Sequence, residues 1–156
     1  MKRFLFATII ISSLASCDLF TKKKNTTGPD DKQQMMDADR AFSKLSEEKG
    51  MKAAFLEYID SNGVLLRPNE MPVIGADAID YLIQQNDSTY TLKWQPSKGV
   101  VAESGELGYT YGLYQLQSKI KDTTIFGTYV SIWKKQSDGS WKFVLDSGNE
   151  GVGEPQ

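Results

Sequence analysis

Near residue 90 the spacing of the apolar residues changes, and this change limits the folds open to the chain. Before it, apolar residues recur every three or four positions, as they do on one face of an α-helix. After it, apolar and polar residues alternate between turn signals, which is typical of half-buried strands. Helices followed by a meander of strands predict an α+β domain in which the helices cover one face of an antiparallel sheet.

Three helices are predicted ahead of the meander. The first is capped by Asp30 or Asp31 and ends at Gly50, and the others cover residues 51–59 and 76–85. The apolar stripe of the first helix consists of Met35, Ala38, Phe42 and Leu45. The predicted strands are 64–67, 90–95, 98–103, 107–117, 124–135 and 141–147.

Turn residues set the register of the predicted hairpins. Asp138-Gly139 is typical of a two-residue turn, which places Ser137 opposite Ser140. Strand alternation then predicts the cross-strand pairs Trp133–Val144, Ser131–Asp146, Gly108–Trp133 and Gly112–Tyr129.

This register divides the sheet into two faces. One face carries Tyr109, Tyr111 and other apolar side chains, so we expect the helices to cover it. The second face mixes polar, small and aromatic residues, among them Tyr129 and Trp133. Exposed aromatic residues in a patch usually indicate association, so this second face is predicted to be a dimer face.

The first 16 residues have the features of a secretory signal peptide. Lys2 and Arg3 precede an apolar run, residues 4–13, that is too short to span a bilayer comfortably. A short transmembrane anchor is the alternative. Residues 14–17, Leu-Ala-Ser-Cys, argue against that alternative because they resemble the bacterial lipobox. That resemblance implies cleavage before Cys17 and lipidation of its sulfur, which would anchor the protein to a membrane.

The remaining chain divides into a tether (17–32), one folded domain (33–148) and a loose tail (149–156). Three lysines at 22–24 could touch anionic headgroups, or belong to a solvated tether. Removal of Lys2 and Arg3 leaves 16 basic and 20 acidic residues, a net charge of −4. Nucleic acid is therefore an unsuitable partner, since it requires a basic face.

The order of several phrases is similar to that in a known superfamily. These phrases are Arg67-Pro68, IGADAIDYL at 74–82, ESGELGYTYG at 103–112 and FGTYVSIWKKQSDGSWKFVLDSGN at 126–149. Over about 35–149 the chain resembles the nuclear transport factor 2-like superfamily, and within it the SnoaL-like bacterial domains. The resemblance implies a cone in which a curved antiparallel sheet packs against three N-terminal helices, with a blind apolar pocket between the sheet and the helices. It also implies a homodimer formed through the sheet.

Catalysis in that superfamily uses residues that this chain lacks. The ketosteroid isomerase relatives keep an aspartate base directly before a proline, where this chain has Arg67, a permanent cation. The dehydratase and cyclase relatives use histidine, and this chain has none, which also excludes histidine triads and histidine metal sites. With Cys17 as the only cysteine, no thiolate metal site is expected either. We therefore predict no catalytic residue, metal or cofactor, with Asp146 as the alternative base.

Five residues are candidate ligand contacts: Tyr58, Arg67, Trp94, Tyr109 and Tyr111. Arg67 could pair with an anionic ligand, or form a structural ion pair with Glu70, Asp60 or Asp77. The tyrosines could orient a ligand or belong to the core, and Trp94 could close the pocket rim or pack as a strand residue.

The carboxylates have structural interpretations beside the functional one. Asp146 is expected to form a hydrogen bond with Ser131 or Thr110 on the mixed face. Asp60 is expected to cap a helix or to stabilise a turn. The helix acids Asp37, Asp39, Glu47 and Glu48 are expected to form a solvated face.

These patterns predict an envelope lipoprotein whose domain binds a small, largely apolar ligand or a protein partner without catalysis. The alternative is an enzyme of the ketosteroid isomerase, dehydratase or hydrolase type that acts on a small apolar substrate. The expected location is the bacterial cell envelope, outside the cytoplasm.

Overall fold

A computed structural model describes residues 29–153. The predicted signal peptide and Cys17 lie outside these described residues. The helices are α1 (Pro29–Lys49), α2 (Met51–Tyr58) and α3 (Ala76–Gln84). The strands are β1 (Ile59–Leu66), β2 (Val73–Ile74), β3 (Tyr90–Val101), β4 (Leu107–Ser118), β5 (Thr124–Lys135) and β6 (Trp141–Val152). No helix within 29–153 is long and apolar enough to cross a membrane.

One six-stranded sheet has the order β2-β1-β6-β5-β4-β3, and the helices cover one of its faces. The predicted α+β class is confirmed. The sheet is mixed, because β1 pairs with β6 in parallel while every other neighbouring pair is antiparallel. This parallel pair joins β1, which directly follows α2 in the chain, to the last strand.

Several predicted boundaries are wrong by a few residues. Helix α1 begins at Pro29, so its first turn overlaps the predicted tether. Residues 90–101 form one strand instead of two, with an irregularity between Pro96 and Lys98, because Pro96 has no N–H for the ladder. Strand β6 continues through Val152, which pairs with Phe126, so the predicted tail starts too early.

The β4–β5 register is confirmed, including the pairs Gly108–Trp133 and Gly112–Tyr129. The β5–β6 hairpin closes at Lys135–Trp141, so Trp133 lies opposite Phe143 and not Val144. An irregularity between Ile132 and Trp133 then restores the predicted Ser131–Asp146 pair. Trp141 and Phe143 consequently lie in the core even though Leu145 does not.

The prediction of which face the helices cover is wrong along β4 and β5. Trp133 is 0% exposed and Tyr129 8% exposed within a single chain, so these two residues cannot form the predicted dimer face. The helices cover the mixed face because its glycines let α1 approach. A Cβ on Gly108 would lie 2.5 Å from Met35 Sδ, and one on Gly99 would lie 2.7 Å from Met36 Sδ.

The mixed face, which the helices cover, is the inner face of the sheet. The core lies between α1, α2 and this inner face. The Phe42 ring is at its centre, with ring centroids 4.5 Å from Trp94, 4.8 Å from Phe55 and 5.5 Å from Phe143. Trp133 of β5 packs into the core from the sheet, and its Nε1 donates a hydrogen bond to the Thr110 hydroxyl at 2.8 Å. The candidate site lies beside this aromatic core, and Phe55 and Trp94 belong to both.

Candidate functional site

A cavity of about 440 Å³ opens between α2, α3 and the inner face of the sheet. Helix α2 contributes Phe55, α3 contributes Tyr81 and Leu82, and the strands contribute most of the remaining wall. Six aromatic rings line it: Phe55, Tyr81, Tyr90, Trp94, Tyr114 and Tyr129. Its charged lining residues are Arg67, Asp146 and Glu150.

Arg67 lies in the wall of this cavity as half of an ion pair. Its Nη1 is 2.9 Å from Asp146 Oδ1 and also donates to the Leu66 and Asp146 carbonyls at 3.1 and 3.3 Å. The guanidinium carbon lies 5.5 Å from the Phe55 ring centroid. The structural ion-pair interpretation is therefore correct, but the predicted partners are wrong. Asp146 is the partner because the parallel pairing of β1 with β6 places it opposite Leu65.

Asp146 lies on the mixed face of the sheet and lines the cavity. The helices cover this face, whereas the sequence predicted that they would cover the face that carries Tyr109 and Tyr111. Its second oxygen, Oδ2, accepts a 2.8 Å hydrogen bond from Ser131, as expected from the register. Both carboxylate oxygens thus have partners inside the protein.

Asp39 is a buried carboxylate behind the cavity wall, where its sequence pattern predicted an exposed one. It was assigned to a solvated helix face, yet it is 0% exposed. Trp94 Nε1 donates to Oδ1 at 2.7 Å, and the Tyr129 hydroxyl donates to Oδ2 at 2.8 Å. Its spacing from Met35 and Phe42, four and three residues away, is the helical signal that could have revealed its burial.

Burial controls the ionisation of this cluster. Burial raises the pKa of Asp39, and the nearby Asp146 carboxylate raises it further. Hydrogen bonds from Trp94, Thr110 and Tyr129 oppose this effect and lower the pKa. Burial also raises the pKa of the Tyr129 hydroxyl well above its usual range, with Asp39 as the next cause. Tyr129 therefore stays a neutral donor whose proton is directed at Asp39 and away from the cavity.

The other predicted contacts are only partly brought together. Trp94 lines the cavity beside Arg67. Tyr58 does not line it and instead stacks on Phe42, with centroids 5.0 Å apart. Tyr109 and Tyr111, at 42% and 44% exposed, lie on the outer face of the sheet, so their predicted place in the pocket is wrong.

Two glutamates lie near tyrosines of the cavity lining. The Tyr81 hydroxyl donates to Glu70 Oε1 at 3.4 Å. The Tyr114 ring lies against Gly127, where a Cβ would be 2.3 Å from two ring carbons. Burial raises the pKa of Tyr114, and the carboxylate of Glu150 raises it further. Within residues 29–153, no group of three or more metal-ligating side chains could hold a metal ion.

No protein-family model and no curated protein matches the chain. Solved structures do match. A ketosteroid isomerase-like protein from Erwinia carotovora atroseptica has a TM-score of 0.65 at 12% identity, over 79% of this chain and 98% of that chain.

Two further solved structures agree with this match. An NTF2-like protein with a cystatin-like fold from Novosphingobium aromaticivorans has a TM-score of 0.61 at 12% identity, over 76% of this chain and 80% of that chain. A protein of unknown function with a cystatin-like fold from Nostoc punctiforme also has a TM-score of 0.61 at 12% identity, over 83% and 98%. At these identities the likeness shows the fold alone, which is the nuclear transport factor 2-like cone.

Proposed function

We propose that this domain binds a small, largely apolar ligand in the cavity between α2, α3 and the sheet, without catalysing a reaction. The observation that carries the proposal is the cavity itself, a concave site of about 440 Å³ lined by six aromatic rings with a few convergent polar groups. Pockets of this size and lining are the usual small-molecule sites of proteins. The solved structure from Erwinia carotovora, described as ketosteroid isomerase-like, supports a ligand site in this fold.

The enzyme alternative depends on Asp146, the carboxylate in the cavity wall. Its Oδ1 is held by Arg67 and its Oδ2 by Ser131, which orients the carboxylate and leaves one acceptor position on each oxygen. Asp39 is farther inside, with Trp94 and Tyr129 between its carboxylate and the cavity. A general base must lie within hydrogen-bond reach of the substrate, a condition that Asp146 meets and Asp39 does not, so catalysis would require Asp146 to act from within its ion pair with Arg67.

Filling the cavity should abolish binding. Gly148 lines the cavity, and a Cβ there would be 3.5 Å from the Tyr114 ring, an ordinary contact. We expect Gly148→Leu to weaken binding of the neutral probe 3-tert-butylphenol by about tenfold or more, because the new side chain occupies the ligand's space. Isothermal titration calorimetry of the full chain measures this, with the titration into matching protein-free buffer subtracted.

The control for this experiment is Gly153→Leu, the same change at a position where a Cβ would meet nothing within 4 Å. It should bind the probe as the wild type does. Equal binding by Gly148→Leu and Gly153→Leu would place the probe elsewhere and refute the proposal.

We also propose that the protein is held at the cell envelope through a lipid on Cys17. The support is the Leu-Ala-Ser-Cys sequence directly after a short apolar run. Each buried CH₂ of an acyl chain contributes about 0.8 kcal/mol to membrane binding, so several chains anchor a protein firmly.

Cys17→Ala is expected to move the protein from the detergent phase to the aqueous phase in detergent partitioning, because one residue carries the whole anchor. Ser16→Ala, which keeps a small residue before the cysteine, is the control and should stay in the detergent phase. Partitioning of Cys17→Ala like the wild type would mean that Cys17 is not the anchor.

A second copy of the chain is the partner we propose for the outer face of the sheet. Tyr109, Tyr111 and Leu113 alternate along β4 and are 42%, 44% and 37% exposed. An exposed apolar patch on a sheet commonly marks an association surface. This assignment replaces the predicted dimer face at Tyr129 and Trp133.

A further inference from the structure

We propose that the cavity selects organic cations, specifically a tertiary or quaternary ammonium group attached to an apolar body. This inference rests on the proposed function and names the class of its ligand. A cation gains from the negative faces of aromatic rings, and the gain is largest where the ring and the cation are shielded from water.

The polar hydrogens of three of the cavity rings already have acceptors. Trp94 and Tyr129 donate to Asp39, and Tyr81 donates to Glu70. A hydrogen bond to a carboxylate adds electron density to the donating ring, which makes its face more attractive to a cation. The same bonds leave these three rings without a donor for an anionic ligand, so their contribution to binding is the ring face.

The charges around the cavity also favour a cationic ligand. Arg67 is the only basic residue among its described lining residues, and Asp146 at 2.9 Å neutralises it. Glu150 also lines the cavity, and Glu70 lies beside Tyr81. Within residues 29–153, neither glutamate lies within 4.0 Å of a basic side chain in an ion pair. One arginine and three carboxylates thus lie in the cavity lining or hydrogen-bond to it, a net charge of −2 that attracts cations.

An anionic ligand would meet the opposite conditions. It would have to approach Arg67 beside the Asp146 carboxylate, and like charges at short range repel. Burial of the anion next to Asp146 would also require its desolvation, which is costly without a free cation. The earlier expectation that Arg67 attracts a carboxylate ligand is thus opposed by the ion pair it forms.

Three probes that share a phenol ring and differ in the charge of the 3-substituent separate the ligand classes. We would titrate the full chain with (3-hydroxyphenyl)trimethylammonium, its neutral isostere 3-tert-butylphenol and the anion 3-hydroxybenzoate. The ammonium probe should bind about tenfold more tightly than the isostere, because only the charge differs between them. The benzoate should bind more weakly than either.

Two charge-removing variants test the location of the site. Glu150→Gln should weaken binding of the ammonium probe roughly threefold and leave the neutral isostere unchanged, as expected for a charge several ångströms away in water. Glu103→Gln removes the same charge in the exposed β3–β4 turn, at the other end of the strands, and should change neither affinity.

The outcomes distinguish this inference from the proposed function. Equal affinity for the ammonium probe and its isostere, or tighter binding of the benzoate, would overturn the cation inference and leave ligand binding intact. Failure of all three probes to bind would overturn both. Tight ammonium binding that Gly148→Leu abolishes supports both.

Discussion

Arg67→Met is expected to destabilise the protein by about 3 kcal/mol, because it leaves Asp146 charged and buried without its partner. The Asp146 side chain is 8% exposed and the Arg67 side chain 21%, so solvent compensates little for the loss. Urea denaturation followed by circular dichroism measures the free energy of unfolding. Arg67→Met combined with Asp146→Leu should recover much of the loss, since no unpaired charge is then buried.

The chain provides a matched control for this experiment. Arg40 forms an ion pair with Asp37 at 2.7 Å, but these side chains are 42% and 59% exposed. Arg40→Met should cost less than about 1 kcal/mol, as exposed pairs do. If Arg67→Met were no more destabilising than Arg40→Met, the Arg67–Asp146 pair would not be a structural element of the cavity wall.

Trp133→Asp is expected to prevent folding, with a loss of more than about 4 kcal/mol, because it removes a fully buried ring and places a charge in the cavity left behind. Far-ultraviolet circular dichroism of the purified variant tests this. The sequence alone predicts a milder effect, because it assigns Trp133 to a dimer face on the surface of the chain.

Tyr111→Asp is the matched substitution on the outer face, where the side chain is 44% exposed. It should keep the native circular dichroism spectrum. Light scattering should show a dimer for the wild type and a monomer for Tyr111→Asp, since a charge in an apolar contact opposes association. A folded Trp133→Asp variant would contradict the inner placement of Trp133, and a wild-type monomer would contradict the proposed dimer.

Local patterns predicted the elements of the fold well because their causes are local. Gly50 ends α1 with a φ of +93°, a conformation that glycine adopts without strain. The β4–β5 register follows from a short connection and from glycines opposite large rings. Asp138-Gly139 did mark a turn, but Gln136 and not Ser137 lies opposite Ser140, so the loop has three residues instead of two. The pairing of Trp133 is therefore shifted by one residue from the prediction.

The candidate site was less predictable because its contacts join distant parts of the chain. Asp39 and Tyr129 are 90 residues apart, and Arg67 and Asp146 are 79 apart. The partner of Arg67 depends on the parallel pairing of β1 with β6, for which no turn signal exists. Trp94 was identified as a candidate, but the carboxylate that holds its indole was assigned to solvent.

By itself the sequence determined the three helices, the change to strands near residue 90, the α+β class and the absence of histidine chemistry. Only the tertiary structure decided which face of the sheet is covered. Alternation groups side chains onto a face, but either face can be the inner one. The outcome depended on α1 packing against Gly99 and Gly108 and on polar groups such as Ser131 and Asp146 finding partners inside. These contacts join residues far apart in the chain, so the number of apolar residues on one face of a strand cannot predict them.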